Sequence, residues 1–137
     1  MTKIQILKDV TSNILESQYF FIQETQTDES GAEYKYAVNI KDSRLDIIIL
    51  FCQKTAVLMA ENLLGTCDVD EDDIVDALKE SINIIVGNLY GTPLGEDMKK
   101  VSIPEMIKNI GAITEQNYEK ALLFYNEEPL KILLKIE

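Results

Sequence analysis

Apolar residues recur at helical spacing over residues 4 to 16, where Ile4, Leu7, Val10 and Ile14 are separated by charged and polar side chains. The chain should therefore open on a short amphipathic helix. From Tyr19 to Thr27 the aromatic and β-branched content predicts a strand, ended by the turn-forming run Asp28-Glu29-Ser30-Gly31. Tyr34 to Ile40 predicts a second strand, and Lys41-Asp42-Ser43 turns the chain into Leu45 to Phe51. The near-continuous apolar run of that third segment suits a central strand covered on both faces. These three strands are expected to form a meander. Lys54 to Leu64 returns to helical periodicity through Val57, Leu58, Glu61 and Leu64, with Gly65 placed to cap its end.

A longer helix is predicted from Asp72 to Tyr90, stopped by the breaker-rich segment Gly91-Thr92-Pro93-Leu94-Gly95. Lys99 to Ile103 reads as a strand closed by Pro104. Tyr118 to Tyr125 and Leu130 to Ile136 flank the turn Asn126-Glu127-Glu128-Pro129 and predict a hairpin. Alternation in its second arm would turn Leu130, Ile132, Leu134 and Ile136 to a core and Lys131, Leu133 and Lys135 to water. Neither a repeat nor a linker interrupts the pattern. The expectation is one α+β domain over residues 1–137, an antiparallel or mixed sheet with helices packed on a face.

A chain of 137 residues buries roughly two-thirds of its unfolded surface, so folding needs neither a disulfide scaffold nor a metal. Thirteen basic against 24 acidic side chains leave a net charge of −11, which repels phosphate backbones and anionic lipid headgroups. Nucleic acid and membrane are thereby disfavoured as partners. The absence of histidine removes more chemistry still: no Ser-His or Cys-His nucleophile pair and no His-ligated zinc. Any catalysis must use carboxylates, amides, hydroxyls or amines. Cys52 and Cys67 are too few for a framework and are both expected to pack as small hydrophobes. The N-terminus lacks the features of a signal peptide, and the longest apolar run, Ile47 to Cys52, falls far short of the ~20 residues of a membrane span. A cytoplasmic location is the expectation.

Acidic residues accumulate at Asp68-Val69-Asp70-Glu71-Asp72-Asp73. The spacing is faintly that of a calcium loop, but Asp73 stands where the sharp turn needs Gly and Lys79 where a bidentate Glu belongs. No metal site is expected. These carboxylates are placed instead to cap the next helix and to meet the positive end of its dipole.

Winding that helix gathers Ile74, Leu78, Ile82, Ile85 and Leu89 on one face for burial. On the opposite face Asp76, Glu80, Asn83 and Gly87 are offset by four, three and four residues, forming one exposed ridge. A polar pair on such a face is ordinarily just a solvated surface. Gly87 costs helix stability yet leaves room for another molecule to approach closely, a pattern that suits docking.

The pattern Asp76-x3-Glu80-x2-Asn83, followed after twenty intervening residues by Pro104, resembles that of the CheC/CheX chemotaxis phosphatases. The preceding helix, Thr55 to Gly65 with its Leu-Leu-Gly ending, and the pair Gly87-Asn88 are also similar to CheX-type sequences. The likeness covers about residues 45 to 110, and a single Glu-x-x-Asn motif matches the CheX rather than the CheC type. The resemblance implies a phosphatase that removes the phosphoryl group from the aspartate of a CheY-like receiver domain. It implies that Asn83 orients the attacking water and Glu80 pairs with the receiver's active-site lysine. Asp76, Gly87 and Pro104 would belong to the partner-binding surface. It further implies a homodimer and no cofactor of its own, Mg²⁺ being expected on the receiver. The alternative is a non-catalytic CheX-like module that binds a receiver or a flagellar-switch component.

Overall fold

The structure, a computed structural model, describes residues 1–25 and 28–137. Among these the chain forms α1 (Lys3–Gln18), β1 (Tyr34–Lys41), β2 (Leu45–Cys52), α2 (Gln53–Leu64), α3 (Glu71–Leu89), β3 (Glu105–Met106), β4 (Glu119–Tyr125) and β5 (Glu128–Ile136). The strands lie in the order β3-β1-β2-β5-β4, and every neighbouring pair is antiparallel. The architecture is α+β, with the three helices on one face of the sheet.

The helix boundaries follow from local chemistry. Thr2 accepts the Gln5 N–H at the start of α1. Asp70 and Asp73 cap α3 reciprocally: the Asp73 N–H donates to Asp70 Oδ1 at 2.9 Å and the Asp70 N–H to Asp73 Oδ2 at 3.0 Å. Part of the acidic run thus serves the first turn of a helix, where its charge meets the dipole favourably. Gly65 ends α2 at φ +69°, the left-handed conformation that glycine adopts without a Cβ clash. After α3 the chain doubles back so tightly that a Cβ on Gly95 would lie 2.4 Å from the Leu89 carbonyl oxygen.

The main core lies between helices and sheet. The helices contribute Leu7 and Leu15 from α1, Met59 from α2, and Ile74, Leu78, Ile82, Ile85 and Leu89 from α3. They meet Val38, Ile40, Ile47, Ile49, Phe51, Leu130, Ile132 and Leu134 of the sheet. As its sequence requires, β2 is central and buried almost throughout. A bulge near the start of β1 reverses the facing of its first residue. Tyr34 pairs with Cys52 but Tyr36 with Phe51, so Lys35 is an extra residue, and Tyr34 and Tyr36 point to opposite sides.

Four expectations change. Tyr19 to Thr25 is not a strand, and Gln26 and Thr27 lie outside the described residues. Phe20 at φ +59° breaks the extended run, and β4 receives from this segment the Glu24 N–H, 2.8 Å from the Phe124 carbonyl oxygen, in place of a ladder. The meander is therefore the β1–β2 hairpin alone. Lys99 to Ile103 is irregular: the Lys99 and Lys100 N–H groups bind the Asp42 carboxylate at 2.7 and 3.0 Å, and the strand begins after Pro104. Lys131 and Leu133 are buried, because residues 107–118 cover the second face, where Ile107, Ile110, Ile113 and Tyr118 pack on Ala37, Ile48, Leu50 and Leu133. Cys67 is exposed, since it falls in the turn between α2 and α3, whereas Cys52 is buried.

Candidate functional site

Along α3 the two faces separate as the periodicity demands. Ile74, Ala77, Leu78, Ser81, Ile82, Ile85, Val86 and Leu89 are buried, whereas Asp76, Glu80, Asn83 and Gly87 are all exposed. The Ser81 hydroxyl, the one polar side chain on the buried face, donates to the Leu78 carbonyl at 2.7 Å and so is not itself left unpaired. The helix is rigidly seated, and its outward ridge is presented by the packing behind it.

Neither the Glu80 carboxylate nor the Asn83 amide makes a side-chain hydrogen bond or ion pair among the described residues. Asn88, five residues on, behaves differently: its amide donates to the Ile84 carbonyl at 2.8 Å and is committed to its own helix. Asn83 therefore retains a free carbonyl acceptor and a free NH₂ donor side by side. At Gly87 an added Cβ would meet nothing within 4 Å. No close contact among the described residues calls for glycine there, and the notch it leaves faces outward.

Tyr19 stands close enough to feel Glu80. Burial first, and the Glu80 charge second, push its phenol up to about 12, so it stays protonated. Its backbone carbonyl accepts a 2.9 Å hydrogen bond from the Asn62 amide, which ties the end of α2 to the end of α1 beside the ridge. Sequence periodicity gave no sign of this neighbour, because its place depends on how the helices cross. Pro104 is buried immediately before β3, and that strand pairs with β1 through Asn39↔Glu105 and Val38↔Met106. Asp76, Glu80, Asn83 and Gly87 share one surface. Pro104 does not stand on that exposed ridge.

Among the described residues no three His, Cys, Asp or Glu side chains are grouped to hold a metal ion, and no helix is long and apolar enough to cross a membrane. A groove of about 800 Å³ lies elsewhere, between α1 and β4, lined by residues including Lys8, Glu24, Lys120 and Phe124. The ridge is a projecting surface, suited to entering another molecule's pocket rather than enclosing a ligand.

The fold is that of bacterial chemotaxis proteins. A CheX from Desulfovibrio desulfuricans superposes with a TM-score of 0.71 at 18% identity over 97% of both chains. CheX from Vibrio vulnificus gives 0.72 at 13% identity, covering 98% of this chain and 95% of its own. The CheX of a CheX–CheY–BeF₃–Mg²⁺ complex from Borrelia burgdorferi gives 0.66 at 17% identity, covering 99% and 98%. The family described as chemotaxis phosphatase CheX matches residues 37–126, so the chain belongs to the CheX family. No curated protein sequence matches it.

Proposed function

We propose that this chain dephosphorylates the aspartyl phosphate of a CheY-like receiver domain, with the Glu80–Asn83 turn of α3 entering the receiver's phosphorylated pocket. One observation carries the reading: in a member of the chemotaxis phosphatase family, an acid and a carboxamide one helical turn apart both project outward with no partner in their own chain among the described residues. That a CheX of the same fold has been solved with CheY supports the choice of partner.

An acyl phosphate is already reactive toward water, so the catalyst must chiefly place the water in line. Asn83 suits that task, since its carbonyl can accept from the water and its NH₂ can donate, without a charge of its own. As the water oxygen bonds to phosphorus, the bond to the aspartyl oxygen breaks, releasing phosphate and the free carboxylate. Glu80 would pair with the receiver's lysine and fix the register of docking. Asp76 and Gly87 extend the contact along the ridge, and Pro104 shapes the loop that leads to β3. Mg²⁺ belongs to the receiver, where it offsets charge on the phosphoryl oxygens. Assembly as a homodimer and action in the cytoplasm complete the proposal.

The test measures the phosphoryl half-life of a cognate receiver with wild type, Asn83→Ala and Glu80→Ala. Asn83→Ala should lower kcat roughly 100-fold. Glu80→Ala should raise KM about tenfold or more, as loss of an interfacial charge pair does. Equal dephosphorylation by all three rejects these roles. Tight binding with an unchanged half-life would instead make the protein a non-catalytic module.

A further inference from the structure

The ridge of α3 does not end at Gly87. Tyr90, the residue that closes the helix, keeps helical backbone angles of φ −60° and ψ −28°, so its side chain continues the phase of the helix. At 3.6 residues per turn it falls with Asp76, Glu80, Asn83 and Gly87 inside a sector about 80° wide. Gly87 stands three residues before it, a spacing at which helical positions are direct neighbours. Tyr90 is also the one large apolar side chain on this ridge, and it is 50% exposed.

The backbone beneath it is fixed. The Leu89 carbonyl accepts both the N–H and the hydroxyl of Thr92, at 2.9 and 2.6 Å, which folds the chain back on itself. Fully buried Leu94 follows, and a Cβ on Gly95 would stand 2.7 Å from the Tyr90 Cα. At the tip of the side chain the hydroxyl makes no hydrogen bond among the described residues. Nor does the ring close the notch in front of it. Its Cα–Cβ bond tilts toward the start of α3 and hence toward Gly87, yet a methyl on Gly87 would meet nothing within 4 Å, the ring included. Asn83 and Tyr90 thus stand about 10 Å apart along the helix, with open space between them.

We infer that Tyr90 sets receiver specificity: one chain segment of the receiver lies in the Gly87 notch, bounded by Asn83 on the side of the phosphorylated pocket and by the Tyr90 ring on the other. The inference rests on the function proposed above and deepens it. Glu80 and Asn83 address the reacting pocket, whereas an aromatic side chain further along the same helix reads the surface around it and so favours one receiver over another. Continuity decides the occupant. A molecule that takes Glu80 and Asn83 into its pocket meets Tyr90 on the same face, seven residues beyond Asn83. Tyrosine suits that rim, because it offers a rigid apolar ring and a hydroxyl that can reach a backbone group. A second copy of this chain is the poorer occupant, since Asp76 and Glu80 would bring like charge to both sides of such a contact.

Tyr90→Ala and Tyr90→Phe test this on a cognate receiver phosphorylated by acetyl phosphate. Tyr90→Ala should raise KM roughly tenfold and keep kcat within about twofold of wild type, whereas Asn83→Ala lowers kcat. Tyr90→Phe should hold KM within about threefold, since the ring carries the contact. An unchanged KM in Tyr90→Ala overturns the inference, and Asn83→Ala impaired in the same assay then leaves the phosphatase reading standing alone. Tyr90→Phe as impaired as Tyr90→Ala overturns the ring as the contact. A second measurement needs no variant. In wild type, nitration of Tyr90 by tetranitromethane should slow about tenfold under saturating beryllofluoride-loaded receiver, while that of Tyr118, on the far face of the sheet, should not change. Tyr90 nitrated equally fast with and without that receiver overturns the inference, and a dimer that Tyr90→Ala dissociates assigns the face to self-association instead. Wild type that leaves the phosphoryl half-life unchanged removes the phosphatase reading and this inference with it.

Discussion

The Lys131 ammonium stands 3.0 Å from Glu29 Oε2 and 2.8 Å from Glu115 Oε1, over the ring of Tyr34 at 4.9 Å from its centre. This one side chain joins β5 to the segment ahead of β1 and to the short helical turn Glu115–Asn117. Burial alone would pull its pKa down, but hydrogen bonds and charge from Glu115 and Glu29 outweigh that and raise it. Burial would likewise lift Glu29, yet the Tyr34 hydroxyl and Lys131 hold it below its usual value. Lys131→Ala should therefore cost about 2 kcal/mol, the order expected for charged hydrogen bonds at a largely buried site. Lys131→Met, which keeps the packing of the stem, should cost less. Urea unfolding of both variants measures the difference.

Gly87 occupies an exposed position inside α3 where an added methyl meets open space. Gly87→Ala should stabilise the protein by about 0.5–1 kcal/mol through helix propensity and a less flexible unfolded chain. A bulky Gly87→Leu should slow receiver dephosphorylation without loss of thermal stability, because it fills the notch from outside. Thermal unfolding and receiver half-lives check the two arms.

Tyr125 is fully buried, and among the described residues its hydroxyl finds no hydrogen-bond partner. Burial, followed by the charge of Glu16, drives its phenol well above the ordinary range. Its ring lies 5.8 Å from that of Phe21, a contact that phenylalanine would preserve. Tyr125→Phe should raise stability by about 1 kcal/mol, because it deletes an unsatisfied polar group and leaves the ring packing intact. A lower denaturation midpoint would contradict this.

Asp42 gathers the Lys99 and Lys100 N–H groups, the Ser43 hydroxyl and the Ser43 N–H, and these lower its pKa from 3.8 to about 2. A carboxyl depressed by folding stabilises the native state above its unfolded pKa and loses that contribution as pH falls through the folded one. Wild type should thus exceed Asp42→Ala in stability at neutral pH, with the gap closing between about pH 4 and about pH 2. Denaturant midpoints across that interval test it.

The elements whose periodicity was strong could be read directly. The buried face of α3, its exposed ridge, the central β2, the Gly65 cap and the β4–β5 hairpin all follow from patterns internal to one segment. The misreadings share a cause in long-range contacts. Tyr19 to Thr25 has strand-like residues, but a strand needs a ladder, and the left-handed Phe20 denies it one. Lys131 and Leu133 alternate as a solvent face should, yet residues 107–118, which carry little periodicity, fold over them. The α3 ridge was legible because exposure on a helix is set by phase alone. Tyr19, which senses Glu80, was not, because its place depends on the crossing of α1 with α2 and α3.

Lys35, the extra residue between Tyr34 and Tyr36, has a bearing on solubility. Its deletion would bring Tyr34 round to the helix side and remove the aromatic platform under Lys131. The cover formed by residues 107–118 would lose part of its attachment, leaving Ile48, Leu50 and Leu133 open to water. A contiguous apolar sheet face open to water is an aggregation liability. One irregular residue in β1 thus helps to keep this protein from clumping.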